Sequence, residues 1–185
     1  MSDRLRLFVA LDVPQAVRTE LAAWCDRVAP PEVRRVPVAN VHLTLAFLGS
    51  RCAADAEAVA ALLPSVAAAH PVGSLSTSGA LWLPPRRPGV LTVSLQAGDD
   101  LLTLQSALVA ALAEAIRFAP EQRAFRAHIT VGRVPRTARV RLRPLDPPAP
   151  LTFSADAMTL YRSHTGAGGS RYEALARVPV GTRAC

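Results

Sequence analysis

The order of elements legible in this 185-residue chain predicts an α+β fold built on antiparallel sheets. Three observations carry that reading. Strand-like and helix-like periods are mixed rather than strictly alternating. Two pairs of strand-like runs are separated by short turns, as hairpins are. Half the residues are apolar, enough for a real interior in one unit spanning residues 1–185. A doubly wound parallel sheet would instead need a crossover of a dozen or more residues between successive strands.

Residues 4–12 (RLRLFVALD) alternate and predict a first strand. Pro14 suits a first helical turn, and Val17, Leu21, Trp24, Cys25 and Val28 then recur at helical spacing. Pro30 and Pro31 stop that helix after about Ala29. Residues 41–48 predict a strand closed by Gly49, and an alanine-rich helix follows over 53–69. The runs 73–83 and 89–97 predict a hairpin across PPRRPG. Leu101, Leu104, Leu108, Leu112 and Ile116 line one face of a helix over 100–117. A strand at 126–133, a Pro- and Arg-rich connection at 134–150, and strands at 151–161 and 171–178 across the turn TGAGGS complete the chain.

The bulk composition narrows the partner. The net charge is +7 and every one of the 21 basic residues is Arg. Arg forks fit phosphate oxygens bidentately, although a GC-rich genome also favours Arg over Lys. The positive balance points to a polyanion. No apolar run approaches the roughly 18 residues of a membrane span, and MSDRLRLFVALDV lacks the plain apolar stretch of a signal peptide. The expectation is a soluble cytoplasmic monomer without membrane contact. Cys25, Cys52 and Cys185 are odd in number and share no CxxC spacing, as expected of free thiols.

Two short stretches stand out: VHLTL at 41–45 and AHITV at 127–131. Each places a histidine, with threonine two residues on, inside an apolar strand, where an unemployed polar group is costly. Side chains two apart share a strand face. His42 and Thr44 therefore share one face, with Leu43, Leu45 and Phe47 expected on the other; His128 and Thr130 share a face opposite Ile129 and Val131. Side by side, such strands would give a cleft with two imidazoles and two hydroxyls. That set suits phosphodiester chemistry. One ring takes a proton from water while the other gives one to the departing oxygen. The hydroxyls donate to the phosphate oxygens. In-line displacement asks for ring nitrogens roughly 5–9 Å apart, on opposite sides of phosphorus.

Rival chemistries fit less well. Zinc would want a third ligand, and there is no HExxH, no HxH, and no acidic residue within three positions of either histidine. There is no GxSxG elbow, and TGAGGS, lying between strands with no following Lys, is a turn rather than a phosphate-binding loop. His70 and His164 are expected at the surface.

Taken together, RLFVALDVP, NVHLTLAFLG, AHITVGRV and LYRSHTGAGGSRYEALA resemble the 2H phosphoesterase superfamily over essentially the whole chain. Within it they resemble the bacterial and archaeal RNA 2′,3′-cyclic phosphodiesterases, also called 2′-5′ RNA ligases. The resemblance implies a bilobal α+β fold, two antiparallel sheets facing a central cleft with helices outside, working without metal or cofactor. It implies opening of a 2′,3′-cyclic phosphate at an RNA end to a 2′-phosphomonoester, with 2′-5′ ligation as the reverse type of transfer. By that analogy His42 is the proton donor and His128 the proton acceptor, with Thr44 and Thr130 holding phosphate oxygens. Arg133 is the substrate-binding candidate, although strict alternation from His128 would point it to the opposite face. Tyr172 and Phe8 are either base-stacking or packing residues. Arg133, Arg136, Arg139, Arg141 and Arg143 either track an RNA backbone or merely solvate a connection. Two other activities compete: a 2H phosphodiesterase acting on a small cyclic nucleotide or ADP-ribose cyclic phosphate, and a non-catalytic module that holds RNA ends.

Overall fold

The computed structural model describes residues 4–85, 87–120, 123–141, 144–166 and 169–181. The chain runs β1 (Leu5–Asp12), α1 (Gln15–Val28), β2 (Arg34–Arg35), β3 (His42–Arg51), α2 (Ala53–Ala69), β4 (Leu75–Leu83), β5 (Val90–Gln96), α3 (Asp99–Ile116), β6 (His128–Arg133), β7 (Thr152–Phe153), β8 (Ala157–Gly166) and β9 (Gly169–Pro179). A short 3-10 turn, Val38–Asn40, leads into β3. The α+β class and the three helices follow the periodicity closely. Leu101, Leu104, Leu108, Leu112 and Ile116 of α3 are all buried, as their shared stripe requires.

The strands form one curled antiparallel sheet in the order β7-β4-β5-β6-β3-β1-β8-β9, with β2 added to β6. The two sheets expected from the sequence are halves of this sheet. Between β6 and β3, where the halves meet, the register contains a single pair, Leu43 with Ile129. Helix residues such as Trp24, Leu63 and Leu108 share one continuous core with Leu7, Val9 and Leu11 of β1, Leu43 of β3, and Ile129 and Val131 of β6. The face opposite that core is left to the polar alternates of the same strands.

Two departures from the expected elements matter. The strand expected over 151–161 is broken: Thr152–Phe153 pairs with β4, whereas β8 pairs with β1 in the other half of the sheet. The chain crosses between the halves at Ser154–Asp156, where the Asp156 amide donates to the Asp12 carbonyl at 3.1 Å. A continuous apolar run cannot reveal that its two ends pair with different neighbours.

The second departure is a β-bulge just past the threonine of each motif strand. Along β1, Ala10 faces Thr44 but Val9 faces Ala46, so Leu45 is the extra residue in β3. Along β5, Thr92 faces Thr130 but Leu91 faces Gly132, so Val131 is the extra residue in β6. Each bulge puts two successive residues on the core side, Leu45 with Ala46 and Val131 with Gly132, and all four are buried. Alternation beyond each bulge is inverted. Phe47 therefore does not line the apolar face, as strict alternation had it; it is 58% exposed on the other side. Arg133 is likewise returned to the face of His128 and Thr130, which removes the objection that alternation raised against it.

Candidate active site

His42 and His128 both occupy the face opposite the core, each just inside the start of its strand. Continuing the antiparallel register outward from Leu43 and Ile129 sets His42 across from Thr130 and Thr44 across from His128. The two histidines are then diagonal neighbours, with side-chain origins roughly 7–8 Å apart. That spacing leaves room for a phosphorus atom between the ring ends, as in-line displacement needs.

Each ring is oriented by the same local device. His42 Nδ1 donates to the carbonyl of Asn40 at 2.7 Å, and His128 Nδ1 donates to the carbonyl of Arg126 at 2.7 Å. In both cases the acceptor lies two residues upstream, before the strand's polar alternation begins. Fixing the proton on Nδ1 leaves Nε2 as the working nitrogen of each neutral ring. At His42 the Thr44 hydroxyl occupies that nitrogen, donating to Nε2 at 3.1 Å.

The surroundings of the two rings differ sharply. Phe8 stacks on His42 with centroids 4.9 Å apart, and Tyr172 meets the same imidazole edge-on at 5.4 Å. Tyr161 covers the other side of Phe8 at 5.2 Å. Burial in this aromatic nest pushes the His42 pKa from its ordinary 6.5 down to about 4. The bond to Asn40 and the charge of Asp12 oppose the shift, and the charge of Arg133 adds to it. Among these protein groups His42 is therefore neutral at neutral pH.

Among the candidate aromatics, Phe8 is 3% exposed and enclosed by His42 and Tyr161, so of its two expected roles packing is the one it fills. Tyr172 is half-buried against both Phe8 and His42. Arg136, Arg139 and Arg141 are exposed, whereas Arg143 lies outside the described residues. His164 sits on the outer side of the β8–β9 hairpin, where its Nε2 pairs with Glu173 at 2.7 Å and holds that carboxyl below its usual range. His70 ends α2, far along the chain from either motif. Cys25 is buried, and burial raises its thiol to about 11; Cys52 caps α2 by accepting from the Asp55 amide at 3.4 Å. Cys185 lies outside the described residues.

Three contributors escaped the sequence reading. Asp12 ends β1 directly opposite His42 and accepts hydrogen bonds from Tyr161 Oη at 2.7 Å, Thr159 Oγ1 at 3.0 Å and Arg177 Nε at 2.9 Å. Tyr161 is thereby pinned behind Phe8, and burial and that bond raise its hydroxyl to about 12. Asn40, besides orienting His42 through its carbonyl, donates from Nδ2 to the Ser170 carbonyl at 2.6 Å, tying the glycine-rich hairpin to the site. Asp12 at least carried a signal, since it shares the period-two face of Phe8. Asn40 carried none. A cavity of about 180 Å³ opens beside His42, between Asp12, Arg18, Tyr161, Tyr172 and Arg177. Among the described residues no three His, Cys, Asp or Glu side chains converge as ligands for a metal ion, and no helix is long and apolar enough to cross a membrane.

Comparison with known proteins agrees with this geometry. The chain is 32% identical to the RNA 2′,3′-cyclic phosphodiesterase of Escherichia coli K12, over 96% of this chain and 97% of that one. Its fold matches a solved protein of Thermus thermophilus with a TM-score of 0.80 at 26% identity, covering 97% of this chain and all of that one. It matches Escherichia coli LigT complexed with 3′-AMP with a TM-score of 0.73 at 28% identity, covering 97% of this chain and 99% of that one. The 2′-5′ RNA ligase superfamily model matches residues 13–167, both motif strands included, and the chain belongs to that superfamily.

Proposed function

We propose that this protein hydrolyses 2′,3′-cyclic phosphates at RNA ends to 2′-phosphomonoesters by paired histidine acid–base catalysis. One observation carries the reading: two identically oriented His-x-Thr units stand diagonally on one face, where the two halves of the sheet meet. The activity of the 32% identical Escherichia coli relative supports it.

His128, the less enclosed ring, takes the proton of the attacking water through Nε2. His42 gives a proton to the departing 3′-oxygen. His42 is neutral in its protein surroundings, so it must gain that proton together with the substrate. The cyclic phosphate monoanion supplies the reason, because it offsets the charge of Arg133 and attracts a proton to the nearest buried base. Thr44 then turns from Nε2 to a non-bridging oxygen, with Thr130 donating from the opposite strand. With an RNA 5′-hydroxyl attacking phosphorus in place of water and the 3′-oxygen again departing, the same groups would form a 2′-5′ linkage.

The test is a short RNA ending in a 2′,3′-cyclic phosphate, incubated in EDTA, with 2′- and 3′-monophosphate products resolved. The expected result is a 2′-phosphate from the wild type, and rates lower by roughly 10²–10⁴ for His42→Ala and for His128→Ala. Full activity in either variant would end the paired role. Turnover of mononucleotide cyclic phosphates only would favour the small-nucleotide reading, and salt-sensitive RNA binding without product would favour an end-binding module.

A further inference from the structure

The short strand β2 consists of two arginines, and its register with β6 sets Arg35 across from Gly132 and Arg34 across from Arg133. Residues directly opposite on neighbouring strands share a face. Gly132 faces α1, and so does Arg35, whose Nε meets the Asp26 carboxylate of α1 at 2.9 Å. Arg34 therefore stands on the other face, with Arg133, Thr130 and His128. There the two arginine side chains start about 5 Å apart, and like charges placed directly opposite are destabilising. On its other side Arg133 faces only Val90. Both arginines are exposed, and among the described residues neither guanidinium has a hydrogen bond or ion pair. One arginine of β2 is thus neutralised by the protein and the other is left to the cleft.

We infer that Arg34 holds the phosphodiester next to the reacting one, on the RNA chain that ends in the cyclic phosphate, and so makes the site favour an RNA end over a mononucleotide. This rests on the cyclic phosphodiesterase reading and adds its substrate class. A phosphate lying beside two unneutralised guanidiniums cancels their repulsion and accepts from their forks. The placement is suitable. Thr130 and Arg133 face Thr92 and Val90, two residues apart on β5, so they stand about 7 Å apart on the cleft face. Leu43 pairs with Ile129 and Arg35 with Gly132 along the same edge of β6, so β2 continues the line of β3 before His42. A chain running over the start of β3 thus passes Arg34 on its way to His42. The phosphate adjacent to the reacting one falls within the reach of this second arginine, whereas a mononucleotide cyclic phosphate has no such group to offer.

The experiment compares three substrates with wild type and Arg34→Gln: the adenosine dinucleotide ending in a 2′,3′-cyclic phosphate, the same dinucleotide with an uncharged methylphosphonate linkage, and adenosine 2′,3′-cyclic phosphate. On the charged dinucleotide Arg34→Gln should raise KM by about 5- to 30-fold with kcat little changed. On the other two substrates the proteins should be alike. The variant should also lose about 0.7 from the slope of log affinity against log salt for the charged dinucleotide. Calorimetric binding of the dinucleotide 2′-monophosphate and of adenosine 2′-monophosphate reads the same contrast without turnover. If no substrate is hydrolysed, the cyclic phosphodiesterase reading falls while the binding contrast still judges Arg34. Equal losses on all ligands, or no loss on any, would overturn the assignment. Because Arg34 faces Arg133 unrelieved, Arg34→Gln should melt no lower than wild type. A lower melting temperature would make Arg34 a structural residue and overturn its role as well.

Discussion

The enclosed ring of His42 makes acid sensitivity a quantitative prediction. Its folded pKa lies at about 4 against an ordinary 6.5, with burial the main cause. A histidine depressed in this way is neutral in the folded protein while the unfolded chain takes up a proton. Stability is therefore intact above pH 6.5 and falls as pH drops toward 4, below which the loss is complete. The full difference corresponds to about 3 kcal/mol. At pH 4.5 most of it, roughly 2.5 kcal/mol, is already lost. Carboxylates titrate over the same range, so the measurement must isolate this ring. Urea unfolding of wild type and His42→Gln at pH 7.5 and pH 4.5 does so, because only the wild type carries the depressed group. The stability of wild type relative to the variant should drop by about that amount on acidification. A difference independent of pH would refute the account of an excluded proton.

The same ring fixes one limb of the pH–rate profile, and Tyr172→Ala, by opening the imidazole to water, should move that limb upward from about 4 toward 6.5. A limb that stays put would mean that Tyr172 does not desolvate His42. Gly132→Ala places a Cβ 2.5 Å from Val33 Cγ1 and 3.5 Å from Cys25 Sγ, so it should destabilise by about 1–3 kcal/mol and raise KM by displacing Arg133. An unchanged melting temperature would contradict the close approach to Val33 and Cys25. Asn40→Asp removes the donor to the Ser170 carbonyl and should lower kcat by about 5- to 30-fold, whereas Ser170→Ala, which keeps the accepting carbonyl, should match wild type. Equal effects of the two substitutions would show that the backbone link is not what matters.

Much of this architecture was legible because burial leaves a periodic trace. The stripe from Leu101 to Ile116 and the alternation of RLRLFVALD are direct records of which side chains face the core. The histidines were legible for the opposite reason, as polar exceptions in apolar strands. What stayed hidden was long-range. Nothing near Asp12 in the sequence announces Tyr161, Thr159 or Arg177 as partners, since these come from strands brought alongside only by the fold. Nor does a run such as LTFSADAMTLY show that Phe153 and Ala157 belong to different halves of one sheet.

The bulges set the limit of pattern reading and also explain the site's asymmetry. An extra residue flips every later side chain, so counting by twos from His128 placed Arg133 on the wrong face and counting from His42 placed Phe47 in the core. Gly132 held the clue: its Cβ position is filled by Val33, Leu91 and Cys25, so it must face α1, and Arg133 must then face away. In β3 the corresponding Ala46 is small and buried, the same requirement met with one more carbon. Small residues at these two positions let the core close under each bulge. The next side chain, aromatic in one strand and cationic in the other, is thereby free to differ without disturbing the shared histidine–threonine frame.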